Sequence, residues 1–426
     1  MKNMVGGLQW AIFIIASSIA APIAIAQVFE MDSTETALFI QRTMFILGIS
    51  SLIQAFFGHR LPINEGAAGL WWGVFVVYAG MVGVIYPTSN DSLQALQSGM
   101  LYSGVLFILL AVFGVVSRMQ KLFTPAVTFT YLMLLILQLS GTFIKGMFGI
   151  KEAGDVINGT VAIGSIIVVF VTFFTMNHGV KWISRYSVLL SIGFGWIFFL
   201  FLGRAPNFTS HTNKLIELPG ILVYGKPIWD SGIFVTALFI TLLLIANMMA
   251  SIRVMESLFK HSFSIKVPNR MKQGSIASGI NHLAAGLFSA IGPVPISGAA
   301  GFVSATKMVS MKPFIYGSVI IVVITVFPDI MSFLATLPAP VAYAVTFVIF
   351  TKMVEMAFNE LTIEPNQKQA YKVAAIGLMV GVGLMFVQIE SLSDLPNVLA
   401  TILSNGLITG TIIAIAIEQY LIWKNR

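Results

Sequence analysis

From Leu8 to Phe29 the chain runs without one charged residue, and apolar stretches of similar length recur along its whole extent. Crossing the hydrocarbon of a bilayer takes about 20 such residues in a helix. Water-soluble domains carry roughly 25% charged side chains. Here Asp, Glu, Lys and Arg make up 10% of 426 residues, 57% are hydrophobic, and mean hydropathy is +0.91. The pattern predicts an all-α polytopic membrane protein whose first partner is the lipid bilayer. Fourteen apolar segments are expected, at about 8–28, 36–57, 66–85, 95–116, 123–146, 157–176 and 185–203, then 232–252, 275–291, 296–309, 313–332, 338–358, 370–388 and 402–424. The first is too long for the apolar core of a signal peptide and is expected to be retained.

Charge placement supports that count. With the N-terminus inside, 18 of the 24 basic residues fall on the cytoplasmic side, among them Arg118, Lys121, Arg253, Lys260, Lys266, Arg270 and Lys272. Five fall outside, including Lys145 and Lys151, while Glu30, Asp32, Glu35, Glu152 and Asp329 also collect there. This is the positive-inside bias expected of a plasma-membrane protein with both termini cytoplasmic. It also accounts for the net charge of +7 without a nucleic-acid partner. The long outer loop 204–231, with Pro206, Pro219, Gly220 and Pro227, divides the chain into residues 1–203 and 232–426. Seven segments in each part force opposite insertion of the two, the inverted-repeat plan of many secondary carriers. Cysteine is absent, which excludes disulfides and thiol chemistry. No Walker-type loop supports ATP use.

Two segments depart from the rest. The stretch Pro293 to Lys307 is rich in glycine and proline, and its Gly298-Ala299-Ala300-Gly301 echoes Gly66-Ala67-Ala68-Gly69, 232 positions earlier. In a bilayer, irregular backbone survives only where protein or a water-filled cavity satisfies it. Segments three and ten are therefore predicted to be half-helices preceded by extended backbone. Their unpaired first-turn amides would point from opposite sides at one ligand. Such paired, interrupted segments mark a carrier's binding site. Helix packing explains the small residues equally well, but not the prolines before both copies.

Polar residues inside apolar segments complete the candidate site. Asn247 interrupts segment eight, and Ser251 stands one turn later on the same face. An amide gives and accepts hydrogen bonds as nucleobase edges require; an interhelical hydrogen bond is the competing role. His282 and Asn281 read as structural, and Arg42 as snorkelling to the outer surface. Glu65 stands directly before the first Gly-Ala-Ala-Gly; a carboxylate at membrane depth is a proton-carrier candidate, but with His59, Arg60 and the cytoplasmic boundary close in sequence it is expected to be solvated and paired. No membrane-depth His, Asp and Glu cluster suggests an enzyme.

Taken together, Gly58-His59-Arg60-Leu61-Pro62 to Gly66, Leu122-Phe123-Thr124-Pro125-Ala126-Val127-Thr128, Gly279 to Gly286, Gly292-Pro293-Val294-Pro295 and Leu337-Pro338-Ala339-Pro340-Val341 resemble the nucleobase–ascorbate (nucleobase–cation symporter 2) transporters, in order along nearly the whole chain. The resemblance implies core and gate domains, short strands before half-helices three and ten, and a nucleobase held between them. It implies no cofactor, but coupling to protons or sodium; a homodimer is compatible with the plan. Carried over by position, Ala67, Ala68 and Gly69 meet the base, Asn247 replaces a segment-eight glutamate, and Gly298 or Ala299 lies where segment ten usually brings a glutamate or glutamine; Ser251, Ser297 and Ala300 complete the expected binding set. Both acidic positions are lost, which points to a purine permease of altered specificity, with the ring against Trp71, Trp72 or Phe302. The alternatives are a sulfate-type anion carrier of the same architecture and a transport-inactive membrane sensor.

Overall fold

The computed structural model describes residues 2–424 except 117–121, 151–154, 209, 211, 213 and 393. Arg118, Lys121, Lys151 and Glu152 of the charge pattern lie outside the described residues. The chain is mostly helical. A first span, α1 (Lys2–Ser18) and α2 (Ala20–Val28), is broken at Ile19, and α3 (Ser33–Phe56) follows. Strand β1 (Glu65–Ala67) leads into α4 (Gly69–Gly80), then α5 (Ser89–Val112), α6 (Pro125–Met147), α7 (Gly159–Met176), α8 (Lys181–Arg185) and α9 (Ser187–Phe201). After loop 204–231 come α10 (Ser231–Phe263), α11 (Met271–Leu287), strand β2 (Pro293–Pro295) and α12 (Gly298–Thr306). The chain ends with α13 (Met311–Thr325), α14 (Pro328–Ala335), α15 (Ala339–Ile363), α16 (Gln367–Met385), α17 (Asn397–Ser404) and α18 (Gly406–Lys424).

Local chemistry sets these boundaries. Asp32 accepts from the Glu35 amide while Glu35 reaches back to the Asp32 amide, a capping box that starts α3. Thr88 and Asp91 do the same for α5. Thr124 caps α6 with Pro125 at its first position, where the missing N–H costs nothing. Pro328 opens α14 at 92° to α13. Among the described residues eight helices are long and apolar enough to cross a membrane, or nine if α13 and α14 form one bent span. Helices α4 and α12, with 12 and 9 residues, fall below that length.

The helices pack as two groups. The first contains α1 to α5 with α10 to α13, where α11 lies along α5 and α13 along both α1 and α3. In the second, α6 packs on α15, α16 and α18, and α15 also covers α7 and α9. The loop 204–231 is tied down over the first group. Gln41 donates to the Glu217 carbonyl at 2.8 Å and to that of Thr325 at 2.9 Å, and Gln97 donates to the Gly225 carbonyl at 2.8 Å. Arg42 does not snorkel to the surface. It is only 6% exposed, donates to the Tyr224 hydroxyl at 3.1 Å and lies 5.6 Å from that ring. The loop supplies a lid that a sequence reading of Arg42 alone lacks.

Candidate functional site

Strands β1 and β2 pair antiparallel, with Glu65 opposite Pro295, Gly66 opposite Val294 and Ala67 opposite Pro293. The ladder continues beyond the strands: the Ala68 amide donates to the Gly292 carbonyl, and the Ile296 amide to that of Asn64, each at 3.0 Å. Proline donates no ladder bond, which confines this sheet to two strands. Gly66 is required by close approach, since a Cβ there would lie 2.6 Å from the Ile296 side chain. The strand pair thus sets the starts of α4 and α12 side by side. With 12 and 9 residues, they span about 18 and 13.5 Å, well short of a roughly 30 Å hydrocarbon layer. The half-helix expectation holds.

The two helix starts differ. Ala68 is extended and offers no side-chain cap, so the Gly69, Leu70 and Trp71 amides have no intrahelical acceptor. Ser297 is already helical, and the Ala299 and Ala300 amides donate to the Ile296 and Ser297 carbonyls at 3.1 and 3.0 Å. The α12 end is therefore tightened, and two of the amides expected to face a ligand are engaged locally. Surroundings differ too. Gly69 faces Leu135 and Phe350, each 3.8 Å from where a Cβ would stand. Gly298 and Gly301 are exposed, and a Cβ on Gly301 would meet nothing within 4 Å.

The structure gathers the sequence-predicted residues around this junction. Ala68 and Ala299 are fully buried, Ala300 nearly so, while Ala67 and Ser297 are half-buried. Helix α10 packs on both β2 and α12. Its Ser251 donates to the Pro295 carbonyl at 2.8 Å, so this hydroxyl holds the strand. Asn247, one turn earlier, is half-buried and its side chain makes no hydrogen bond among the described residues. Of the three rings expected to stack on a base, two are committed elsewhere. Trp71 is fully buried beside Gly292 and His282, and Phe302 is sandwiched by Trp10 and Phe13 at 4.6 and 4.5 Å between centroids. Trp72 alone lies toward the second helix group, 5.2 Å from Phe143 and 6.4 Å from Phe350.

Two cavities are lined by opposite ends of α6. One, of about 650 Å³, is lined by Gln27, Glu30, Gly80, Thr142, Lys145 and Tyr343. The other, of about 420 Å³, lies between α6, α10 and α15 and is lined by Tyr131, Ala246, Met249, Arg253 and Glu360, among others. The rings of Trp72, Phe143, Tyr343 and Phe350 form a contiguous cluster between the first cavity and Gly69. Both cavities border the two helix groups.

Three polar residues matter more than their sequence context suggested. Gln138, a lone amide in α6, donates to the Gly73 carbonyl at 3.0 Å and accepts from the Leu407 amide at 3.3 Å, linking α4 to the start of α18. Gln54 donates to the Gly274 carbonyl and the Ser278 hydroxyl at 3.2 and 3.0 Å. Glu65 corrects an expectation. It is neither solvated nor ion-paired: its exposure is 0%, and among the described residues neither carboxyl oxygen has a hydrogen-bond partner. The strand pairing folds it inward, away from Arg60, whose guanidinium binds the Phe56 carbonyl at 2.9 Å. Asn281 and His282 are fully buried on α11 and make structural contacts, Nδ2 of Asn281 to the Ser50 carbonyl and Nδ1 of His282 with that of Ser278.

The chain is 43% identical over its whole length to 97% of YwdJ of Bacillus subtilis, which bears a provisional purine permease name. It is 24% identical to the uric acid permease PucJ of the same organism, over 98% of this chain and 92% of that one. The transmembrane domain of a cyanobacterial bicarbonate transporter, BicA, has the same fold, with a TM-score of 0.66 at 13% identity over 97% of this chain and 96% of that one. A family model described as "Permease family" (Xan_ur_permease) matches residues 1–390. The chain belongs to this permease family and is a multi-pass membrane transporter, not an enzyme.

Proposed function

We propose that the protein carries purine nucleobases across the plasma membrane, xanthine and uric acid first among them. The observation that carries this reading is the strand pair that sets the starts of α4 and α12 side by side, with free backbone amides on α4, exposed glycines on α12 and, on the α10 helix packed against them, the unengaged amide of Asn247. A planar base with edge donors and acceptors suits backbone amides and one carboxamide. The relatives named for purine and uric acid transport support the substrate class. The substrate-binding set is Ala67, Ala68, Gly69, Asn247, Ser251, Ser297, Gly298, Ala299 and Ala300. Within it Ser251 acts through β2, and Ala299 and Ala300 supply close approach more than donors.

Transport follows from alternating exposure. The first helix group acts as a core carrying the site, and the second as a gate against which it moves, opening one cavity while the aromatic cluster closes the other. Counting the short elements, the chain makes fourteen segments as two inverted repeats, residues 1–203 and 232–426, joined by loop 204–231. Packing of α11 on α5, mirrored by α13 on α3, supports that symmetry. Both termini lie on the cytoplasmic side, and no cofactor takes part.

Uptake of labelled xanthine, uric acid, guanine and uracil, with sulfate as the competing arm, tests the assignment in cells expressing the protein. Saturable purine uptake that sulfate does not compete is expected. Sulfate uptake without purine uptake would establish the anion carrier instead, and binding without flux the sensor.

A further inference from the structure

Glu65 is the one buried carboxyl at the strand junction, and the binding set above does not use it. Its backbone amide donates to the Ser51 hydroxyl at 2.9 Å, which fixes the residue against α3. Its side chain points into protein. Among the described residues it joins no ion pair, and both carboxyl oxygens lack a hydrogen-bond partner. The neighbouring polar group is the Gln54 amide, whose hydrogens already serve Gly274 and Ser278.

The elements packed against β1 bring no compensating charge. Helix α1 offers Ser17 and Ser18, α3 offers Ser51 and Gln54, and β2 offers Pro293, Val294 and Pro295. Arg42 is nine residues before Ser51 on α3, about 13.5 Å away along the axis. Two buried histidines lie on neighbouring elements, His59 in the stretch leading to β1 and His282 on α11, which packs on α3 and β2. His59, on the same stretch, accepts from the Leu61 amide at Nδ1 and has Nε2 free; His282 of α11 is held by Ser278, also with Nε2 free. An isolated negative charge in such a surround is far costlier than the neutral acid. An ionisable residue at membrane depth, on the strand that positions the binding helix, marks an ion pathway.

We propose that Glu65 binds the proton that is co-transported with substrate. Binding puts one proton on a carboxyl oxygen, and release returns it to water on the other side; no other bond changes. This position lies on β1, two residues before Ala67. Loading the carboxyl therefore alters the charge beside the site without competing for the base. The assignment takes the purine-carrier reading as its frame. It gives a titratable group to a chain with an amide at position 247 and a glycine at 298.

The test uses the purified full chain in proteoliposomes free of sodium. For one proton per substrate, an inside-alkaline gradient of one pH unit should drive accumulation of labelled xanthine or uric acid by up to about tenfold. Glu65→Gln should abolish this driven accumulation, while gradient-free counterflow falls by less than about threefold. Glu65→Asp should keep driven accumulation with a displaced pH profile, which secures the test if the glutamine variant is poorly folded. In parallel, infrared difference spectra on a pH jump should show a protonated-carboxyl band in the wild type that Glu65→Gln lacks. Undiminished gradient-driven uptake by Glu65→Gln, uptake driven by sodium alone, or absence of the carboxyl band would each overturn the proposal. Purine uptake absent from the wild type while the Glu65 band persists would overturn the purine reading and leave the proton site standing.

Discussion

The two short helices that meet at the strand pair begin with near-identical residues, yet they differ in how they start and in what covers them. Helix α4 starts from an extended Ala68, keeps three amides free, and is covered by Leu135 and Phe350. Helix α12 starts from a helical Ser297, spends amides on its own first turn, and leaves Gly298 and Gly301 open. The difference traces to the neighbours. The tryptophans after Gly69 anchor α4 in aromatic packing on both sides, with Trp71 at Gly292 and Trp72 at Phe143. Phe302 anchors only one side of α12, against Trp10 and Phe13 of α1. We read α4 as the hydrogen-bonding wall of the site and α12 as its steric wall.

Breaking the junction itself should have the largest effect. Gly66→Val drives a side chain into Ile296 and should destabilise the fold by about 1–3 kcal/mol; thermal unfolding in detergent would register it as a lower Tm and less monodisperse protein. Next comes the open wall. Gly301→Leu adds bulk where nothing stands within 4 Å, so Tm should hold while purine uptake falls by at least about tenfold, about 1.4 kcal/mol in kcat/KM. Unchanged uptake would remove α12 from the substrate path. Asn247→Ala should abolish uptake without loss of expression, since its side chain has no hydrogen-bond partner among the described residues to forfeit. The smallest effect belongs to Ser251→Ala, which removes one hydrogen bond to Pro295 worth about 0.6 kcal/mol in a membrane protein; a slightly lower Tm with a near-normal KM is expected.

Much of this arrangement is legible in the order of the residues. Glycine and proline at membrane depth disclosed both half-helices, because the bilayer forbids unsatisfied backbone outside a protein-lined space. Apolar length located most helices to within a few residues, although α10 runs 11 residues past the expected end at 252 as an amphipathic extension toward Phe263. What escaped was set by tertiary direction. Proximity in sequence suggested Arg60 as a partner for Glu65, but strand pairing turns the carboxyl inward. Arg42 resembled a surface cation until loop 204–231 folded over it. Near-identity of the two Gly-Ala-Ala-Gly copies likewise concealed that Ala68 is extended while Ser297 is helical.

The chain contains no cysteine, so a single introduced thiol reports one position. Comparing maleimide modification of Gly301→Cys and Gly69→Cys in membranes, with and without xanthine or uric acid, tests the assignment of the two walls most directly. We predict rapid modification at 301, slowed at least about tenfold by the purine as expected for a site near saturation, and slow modification at 69 in either case. Equal reactivity at both positions, or modification at 301 indifferent to every purine, would contradict the account.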